Sequence, residues 1–197
     1  MRSPGQVVLV DVMGTLVHEP FYRDVPQFFG VTLEELRRLK HPTAWIDFER
    51  GLIDEAEYLQ RFFLDGRLLD GEALKRAMYE SYRLLDGVEE ILVALRSRGV
   101  EMHALSNYSP WYVMIEEKLR LSRYLEWTFV SCKTGRRKPE PESYLGAAQA
   151  LNRAPGELLF VDDRRVNCEA AQSVGLPAIH FTGAGDLRAA LEARGLL

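Results

Sequence analysis

The sequence predicts an α/β protein with a doubly wound, parallel, five-stranded sheet of Rossmann-like type and an inserted α-helical cap. Five short apolar runs support this prediction, because they are continuous rather than alternating, as strands buried on both faces of a parallel sheet are. Helical patterns separate the later runs, and strands that alternate with helices favour a parallel sheet. The predicted strands are residues 7–12, 100–105, 127–132, 158–161 and 177–181.

The helices of the sheet region have recognisable ends. Asp86 is positioned to cap a helix that ends at Gly99, and Ser109 opens a second one. A third helix ends at Gly175, because glycine commonly terminates a helix. These helices alternate with the predicted strands, as in a doubly wound α/β sheet.

A long helical stretch without a convincing strand separates the first apolar run from the others. Thr32 with Glu35, and Asp54 with Glu57, have the spacing of capping boxes, which satisfy free N–H groups at a helix start. Two helices are therefore predicted to begin there. The predicted domains are a helical cap of residues 17–85 and an α/β core of residues 1–16 and 86–197.

Composition restricts the kind of partner. The 197 residues carry a net charge of −4, which provides no broad basic surface for nucleic acid or an anionic membrane. No run approaches the roughly 18 apolar residues of a membrane span, and the apolar N-terminal run is too short for a secretory signal. Cys132 is interpreted as a free thiol in a strand and Cys168 as one in a helix. We expect a cytoplasmic protein, monomeric or homodimeric, that binds a small molecule.

The first predicted strand ends in a carboxylate, Asp11. Ligands of open α/β sheets bind at the carboxyl ends of the strands. Gly14 allows a tight turn close to a ligand, and the hydroxyl of Thr15 is an available donor. A strand-end turn with a helix cap explains the same residues equally well, so this segment alone leaves both interpretations open.

Polar residues also follow the second and third strands. Ser106 and Asn107 come directly after apolar residues, although such a pair is more often a turn or a cap than a phosphate ligand. Lys138 lies in a basic cluster directly before Pro139. The prolines of this segment favour a helix start, whose positive end attracts anions. Lys138 is therefore a candidate anion ligand.

Asp162 and Asp163 follow the fourth strand, and Asn167 lies about one helical turn further on. Adjacent carboxylates at one strand end repel each other unless a cation or a proton intervenes. A hard cation that prefers oxygen ligands, such as magnesium, meets this requirement. The pair therefore predicts a magnesium site in preference to a helix cap.

In this order, the four motifs resemble the haloacid-dehalogenase-like superfamily, in its branch with a helical cap inserted after the first motif. The resemblance covers essentially the whole chain. It depends on the order of the motifs, since each one alone is weak. The matching segments are residues 11–16, 106–107, 138–139 and 162–163 with Asn167.

The resemblance implies that Asp11 attacks a phosphorus or carbon centre to form an aspartyl intermediate, which water then hydrolyses. It also implies a magnesium cofactor held by Asp11 and Asp163. Asp162 would lie nearby, and the main-chain carbonyl of Met13 would complete the ligand set. These roles are expectations that come from the family, residue by residue.

The same resemblance implies a site for the transferred group. Ser106, or Thr15, would bind it together with Lys138, and Asn107 belongs to the same substrate-binding motif. The charge of Lys138 would neutralise Asp11 and the charge that develops during the reaction.

Met13 departs from the family pattern, because phosphatases of this superfamily have a second aspartate there that protonates the leaving group and activates water. Methionine transfers no proton, and loss of a general acid or base costs roughly 10² to 10⁴ in rate. Three alternatives to an ordinary phosphatase follow. They are a haloacid dehalogenase, a carbon–phosphorus hydrolase that uses a cap lysine, and a module that binds a phosphate ligand without turnover.

Phosphoester hydrolysis is preferred, since dehalogenases of the family lack the acidic pair that Asp162 and Asp163 form. The only lysines of the predicted cap, Lys40 and Lys75, are expected on solvated helix faces, which disfavours carbon–phosphorus cleavage. A leaving group of low pKa, as in an acyl or aryl phosphate, needs little protonation and suits Met13. The predicted function is magnesium-dependent hydrolysis of a small phosphorylated metabolite.

Aromatic residues of the cap are candidates for the pocket lining, although most are expected in the core of a small helical domain. His18 and His41 are candidates for the proton donor that Met13 cannot be, but a lone histidine after a strand is usually exposed. The aromatic candidates are Phe21, Tyr22, Phe28, Phe29, Trp45, Phe48 and Tyr58.

Overall fold

The computed structural model describes residues 6–197. Its strands are β1 (Val7–Val10), β2 (Met102–Ser106), β3 (Glu126–Val130), β4 (Leu158–Asp162) and β5 (Ala178–His180). They form one parallel sheet in the order β3-β2-β1-β4-β5. The predicted α/β class with a five-stranded parallel sheet is therefore confirmed, and β1 is its central strand.

β1 is buried on both faces, which explains its continuous apolar sequence. Val8 and Val10 pack in one hydrophobic cluster, and Val7 and Leu9 pack in a second. Successive side chains of a strand point to opposite faces, so a single strand serves both clusters. Burial of each side chain contributes roughly 1.5–3 kcal/mol. This packing fixes the position of Asp11, the residue that follows.

The segment between β1 and Leu85 is helical. Thr32 and Glu35 form the predicted capping box, since Thr32 N donates to Glu35 Oε2 (2.8 Å) and Glu35 N donates to Thr32 Oγ1 (3.2 Å). The second predicted start is also confirmed, because Asp54 Oδ1 accepts from Glu57 N (2.8 Å). The α-helices of this segment are α1 (Asp24–Phe29), α2 (Leu33–Leu39), α3 (Ala44–Glu49), α4 (Glu55–Arg61) and α5 (Gly71–Ser81).

The two ends of this helical segment run side by side. Val17 pairs with Leu84 in an antiparallel bridge, and Leu85 N donates to Leu16 O (2.9 Å). These contacts lie where the sequence predicts the connections between a cap and a core. The division of the chain into two domains with these limits stays a prediction.

The remaining helices pack on both faces of the sheet. Ile91 and Leu187 belong to the hydrophobic cluster on one face, whereas Tyr144 and Ala171 belong to the cluster on the other. No helix within residues 6–197 combines the length and the apolar composition that a membrane span requires. The helices are α6 (Val88–Ser97), α7 (Tyr112–Leu119), α8 (Ser131–Thr134), α9 (Pro141–Ala150), α10 (Arg165–Ser173) and α11 (Ala184–Glu192).

Three local predictions are wrong. α6 follows Gly87, whose φ of 77° is left-handed, rather than beginning with a cap at Asp86, because glycine adopts this conformation without strain. α7 begins only after a turn that follows Ser109. Cys132 lies in α8 rather than in a strand, since β3 ends at Val130.

Candidate active site

Three carboxylates meet where β1 and β4 end. Val10 of β1 is paired with Val161 of β4, so Asp11 and Asp162 follow at adjacent positions of the sheet. Asp163 continues directly from β4. One carboxylate oxygen of each aspartate lies within 4.8 Å of the other two. The structure therefore brings the three sequence-predicted carboxylates together.

Lys138 lies between two of these carboxylates. Its Nζ is 2.7 Å from Asp11 Oδ1 and 2.6 Å from Asp162 Oδ2, and its side chain is 2% exposed. Burial lowers the pKa of Lys138, but the two carboxylates outweigh burial and raise the pKa above its ordinary value. Lys138 is therefore a buried cation. Three carboxylates around one ammonium still leave negative charge uncompensated.

Asp162 accepts hydrogen bonds on both carboxylate oxygens. Its Oδ1 accepts from Arg164 N (2.8 Å) and from Asn167 Nδ2 (3.0 Å). Its Oδ2 accepts from Lys138 Nζ and from Asn167 Nδ2 (3.0 Å). These contacts fix Asp162 firmly beside Lys138. Because both of its carboxylate oxygens are already engaged, Asp162 is better suited to position Lys138 than to act as a ligand of a cation.

Asp163 has a carboxylate oxygen without a partner. Its Oδ1 is buried and makes no hydrogen bond within residues 6–197, and a buried unpaired oxygen costs free energy unless a ligand satisfies it. Gly14 provides the room for this carboxylate, because a Cβ at Gly14 would lie 2.7 Å from Asp163 Oδ2. The positive φ of Gly14, 83°, also favours glycine at this turn.

The surroundings of two of the carboxyl groups raise their pKa values. Burial raises the pKa of Asp11 to about 7, with Lys138 opposing the shift and Asp162 adding to it. Burial, followed by the charge of Asp162, also raises the pKa of Asp163 above its usual range. Desolvation and like-charge repulsion of this kind are relieved by a bound cation.

The residues predicted to bind substrate differ in their surroundings. Thr15 is fully buried, and its hydroxyl donates to Asp11 Oδ2 (3.4 Å). Asn107 exchanges two hydrogen bonds of 2.8 Å with the main chain of Lys138, one in each direction. Ser106 Oγ is buried and has no partner in the described part of the chain. Thr15 and Asn107 thus fix neighbouring site residues, whereas Ser106 keeps an unengaged hydroxyl.

A cavity of about 310 Å³ opens onto this cluster. Asp11, Met13 and Asp163 line it at the strand ends, and residues of the helical segment line the facing side. The helical segment therefore covers the carboxyl ends of β1 and β4. Asp11 therefore faces a partly enclosed space.

Aromatic side chains form much of the wall on the helical side. Trp45 packs edge-on against Tyr58, with ring centroids 5.5 Å apart. Tyr58 is 4% exposed and belongs to the hydrophobic core as well, so core packing and cavity lining are not exclusive. Phe62 is absent from the sequence-predicted set, because its pattern is that of any core aromatic residue. The aromatic residues of the lining are Phe21, Tyr22, Trp45, Tyr58, Phe62 and Tyr108.

Basic residues also reach the cavity. Lys40 lines it, so the expectation that Lys40 lies on a solvated face is wrong, and burial lowers the pKa of its amine. Lys75 is not part of the lining and pairs with Glu55 (2.7 Å). Arg137 pairs with Glu49 (2.7 Å), which joins the loop before α9 to the end of α3.

The two histidines considered as proton donors have other partners. His18 Nε2 is 2.6 Å from Asp24 Oδ2, and His18 is partly buried rather than exposed and does not line the cavity. His41 lines the cavity, but its Nδ1 accepts from the backbone N–H groups of Thr43 (3.3 Å) and Ala44 (3.2 Å). His41 therefore stabilises the start of α3 by accepting these two hydrogen bonds.

Glu19 is a cavity residue that the sequence does not single out. Its Oε1 accepts from Phe21 N (2.9 Å). Burial raises the pKa of Glu19 to about 7, and the charges of Asp163 and Glu49 contribute to the rise. In the sequence, its only signal is its place on the segment that leaves β1, directly before Pro20.

Comparison with known proteins identifies the family. The family model of haloacid dehalogenase-like hydrolases matches residues 6–175. The chain belongs to this family and is a hydrolase. The resemblance predicted from the order of the motifs is confirmed.

Individual relatives are more informative about chemistry. The chain is 46% identical over 190 residues to chloroplastic flavin mononucleotide hydrolase 1 of Arabidopsis thaliana, which spans 96% of this chain and 78% of the relative. It is 27% identical over 155 residues to a sesquiterpene phosphatase of Aspergillus oryzae, across 77% of this chain and 79% of the relative.

A solved structure with the same fold contains a metal and phosphate. It is a haloacid dehalogenase family enzyme of Bacteroides thetaiotaomicron in complex with magnesium and inorganic phosphate, with a TM-score of 0.71 and 20% identity. The match covers 89% of this chain and 93% of that chain. At this level of identity the likeness shows the fold.

Proposed function

We propose that the protein is a magnesium-dependent phosphohydrolase that hydrolyses a small phosphorylated metabolite through an aspartyl-phosphate intermediate on Asp11. The observation that carries this proposal is the surplus of negative charge at the ends of β1 and β4, where three carboxylates meet Lys138 beside a cavity. A halide leaves without a cation at the nucleophile, whereas an anionic phosphate group needs one to approach a carboxylate.

The residues present fit a magnesium ion. Asp11 and Asp163 offer hard oxygen donors, and Asp163 Oδ1 has no partner within residues 6–197. We assign these two as carboxylate ligands, with the main-chain carbonyl of Met13 as a further ligand and Asp162 holding Lys138 beside them. When bound, magnesium neutralises phosphoryl oxygens and lowers their repulsion from Asp11.

The side chains of the site divide the remaining work. Asp11 attacks phosphorus and carries the phosphoryl group until water removes it. Lys138, 2.7 Å from Asp11 Oδ1, stabilises the negative charge that develops on the phosphoryl oxygens. Ser106 Oγ, which is unengaged in the described residues, is available to donate to the same oxygens. Asn107 keeps Lys138 in place through its main chain.

Flavin mononucleotide is the leading candidate substrate. The Arabidopsis relative with 46% identity is named as a hydrolase of this compound. The aromatic wall formed by Trp45, Tyr58 and Phe62 suits a planar heteroaromatic ring. The leaving group would then be the ribityl alkoxide. It departs less readily than the leaving group of an acyl or aryl phosphate, which needs little protonation and therefore suits Met13.

Carbon–phosphorus hydrolysis is a second candidate, because one observation favours it. Lys40 lines the cavity, and burial lowers the pKa of its amine, as an imine-forming lysine requires. Borohydride treatment with a carbonyl-bearing phosphonate would then attach the substrate to Lys40. Turnover of the same phosphonate at the wild-type rate by a Lys40→Arg variant would count against this candidate.

A substrate panel tests the proposed function. Phosphate release is measured from flavin mononucleotide, 4-nitrophenyl phosphate and a sugar phosphate, with and without magnesium, and halide release from a 2-haloacid. We expect magnesium-dependent phosphate release that Asp11→Asn abolishes. Halide release, or thermal stabilisation by flavin mononucleotide without product, would contradict the proposal.

Calorimetry tests the metal site independently of turnover. Asp163→Asn should weaken magnesium binding in the presence of inorganic phosphate by at least the roughly 10- to 100-fold that loss of an outer-shell partner costs. Asp186→Asn is the matched control, because Asp186 is exposed and lies outside the cavity lining. Equal magnesium affinity in both variants would remove Asp163 from the ligand set.

A further inference from the structure

Hydrolysis of an alkyl phosphate requires a proton for the leaving oxygen, and Met13 supplies none. Met13 lines the same cavity as Asp11 and is 8% exposed. A ribityl alkoxide is a poor leaving group, so another acid must stand close to the reacting phosphorus. The cavity lining is the place to search for it.

Most acidic groups of the lining already have a role. Asp11 is the proposed nucleophile, and Asp163 is a proposed metal ligand. Glu49 is 3% exposed and its Oε1 is engaged by Arg137, and although burial raises the pKa of Glu49, the charge of Arg137 opposes that rise. Among the carboxyl groups of the cavity within residues 6–197, this leaves Glu19.

The backbone brings Glu19 back towards the strand end. Gly14 N donates to Val17 O (2.8 Å), and Met13 forms a bridge with Val17. The chain therefore turns back beside Met13 before it reaches Glu19. Glu19 lines the cavity together with Asp11 and Met13.

The carboxyl group of Glu19 is held at one oxygen. Phe21 N donates to Oε1 (2.9 Å) at the start of the short 3₁₀ helix Pro20–Tyr22. In the described chain, Oε2 has no hydrogen-bond partner. One oxygen thus fixes the orientation of the group, and the other remains available to a substrate or a water molecule.

We propose that Glu19 is the general acid and base of this enzyme, in place of the aspartate that Met13 replaces. The proposal rests on the proposed phosphohydrolase function. In the first step, Asp11 forms a bond to phosphorus, the bond from phosphorus to the leaving oxygen breaks, and the Glu19 carboxyl proton moves to that oxygen. In the second step, a water oxygen bonds to phosphorus, its proton moves to Glu19, and the bond to Asp11 breaks.

The surroundings of Glu19 suit both steps. Burial raises its pKa to about 7, so the protonated and the ionised form are both populated near neutral pH. Burial is the largest cause and remains when a cation neutralises Asp163. The titratable groups that affect Glu19 or are affected by it are Asp163 after β4, Glu49 in α3, Asp24 in α1, Tyr82 after α5 and Tyr108 after β2.

The test compares Glu19→Gln with Glu49→Gln at saturating magnesium. Each variant removes one carboxyl group from the cavity, and the glutamine at position 19 can still accept from Phe21 N. Rapid mixing with 4-nitrophenyl phosphate and with flavin mononucleotide separates the two chemical steps. The first substrate has a leaving group that needs no acid, and the second has one that does.

Glu19→Gln should release one nitrophenolate per active site in a rapid burst and then turn over slowly, because only the second step needs a base. With flavin mononucleotide it should show no burst, and kcat should fall by roughly 10² to 10⁴. Glu49→Gln should change both substrates by the same factor without a burst. Glu19→Asp, which keeps a carboxyl group, should recover part of the lost flavin mononucleotide turnover.

Two results would overturn the role of Glu19. One is wild-type turnover of flavin mononucleotide by Glu19→Gln, and the other is an equal loss on both substrates without a burst, in a variant whose melting temperature matches wild type. A wild-type protein that releases no phosphate from either substrate would instead overturn the proposed function, and the role of Glu19 with it.

Discussion

Moving a carboxyl group from position 19 to position 13 tests whether Glu19 supplies the proton that Met13 cannot. If Glu19 already supplies the proton, Met13→Asp should add little to the wild-type rate on flavin mononucleotide. In a Glu19→Gln background, however, the same change should restore activity, by up to the roughly 10² to 10⁴ expected of a positioned acid. Steady-state kinetics of the four proteins measures this coupling.

The assay of this pair must be run at saturating magnesium, because a new carboxylate beside Asp11 and Asp163 adds like-charge repulsion. Met13→Asp/Asp186→Asn is the matched control, since Asp186 is an exposed carboxylate outside the cavity lining. Equal gains in the wild-type and the Glu19→Gln backgrounds would mean that the two positions act independently.

Glu19 also makes stability depend on pH. Its folded-state pKa of about 7 lies above the ordinary 4.5, so the folded state binds its proton more tightly than the unfolded chain does. The resulting stability is complete below pH 4.5 and is lost as pH rises through about 7. Glu19→Gln removes this loss. We expect its melting temperature, relative to wild type, to rise between pH 5 and pH 8 by roughly 2–4 °C for each kcal/mol recovered.

Glu117→Gln is the comparison for this measurement, because Glu117 is exposed and lies outside the cavity lining. A difference in melting temperature between Glu19→Gln and wild type that stays constant over the same pH range would show that Glu19 does not titrate near neutrality.

Single residues of the site differ in how well the sequence predicts them. Asp11, Asp162 and Asp163 follow apolar strands, and the parallel register alone brings them together. Glu19 depends instead on the turn after β1 and on the position of the helical segment. No periodic pattern encodes such a turn, so its contribution to the cavity is visible only in the structure.

At the level of secondary-structure elements, burial decided which predictions succeeded. β1, β2 and β4 are buried throughout because helices cover both faces of the sheet, and this signal is strong in the sequence, whereas the edge strands β3 and β5 are only partly buried. Helix starts are weaker signals, because more than one residue can begin a helix. Gly87 replaces Asp86 at the start of α6, and no feature of the sequence distinguishes the two beforehand.

The connection between β2 and the loop of Lys138 is an element that can be tested. Asn107→Ala removes both hydrogen bonds to the main chain of Lys138, and each contributes roughly 0.5–1.5 kcal/mol. We expect a loss of about 1–3 kcal/mol in the free energy of unfolding, together with a lower kcat, because Lys138 loses its fixed position. Denaturant titration and steady-state kinetics measure the two effects.

Asn107→Asp serves as the comparison, because it keeps the acceptor for Lys138 N and loses the donor to Lys138 O. Its effects should therefore be intermediate. A loss of stability in Asn107→Ala without any change in kcat would show that the loop keeps Lys138 in place by other means.

For the whole molecule, two ion pairs join the helical segment to the region just before α9, beside the cavity. Arg50, directly after α3, pairs with Glu140 before α9, and Glu49 pairs with Arg137 in the same region. We predict that an opening of the cavity at this side would break both pairs. Access of substrate would then depend on electrostatic contacts that lie outside the three carboxylates.

Arg50→Gln weakens the closed arrangement without touching the carboxylate cluster. A partly exposed ion pair contributes roughly 0.2–1 kcal/mol, so KM should rise by at most about fivefold while kcat changes little. Arg38→Gln is the matched control, because Arg38 pairs with Glu34 on the exposed face of α2. The same change in KM for both variants would show that the ion pair of Arg50 with Glu140 does not contribute to closure of the cavity.

The central position of β1 has a consequence for the synthesis of the chain. β1 leaves the ribosome first among the strands, but its partner β4 ends only at Asp162. Until then one edge of this buried central strand has no neighbour, and such edges favour association with other chains. A nascent or truncated chain that stops before Leu158 therefore carries Asp11 without Asp162. The three carboxylates that lie together in the folded protein can therefore meet only after β4 and the residue that follows it have been synthesised.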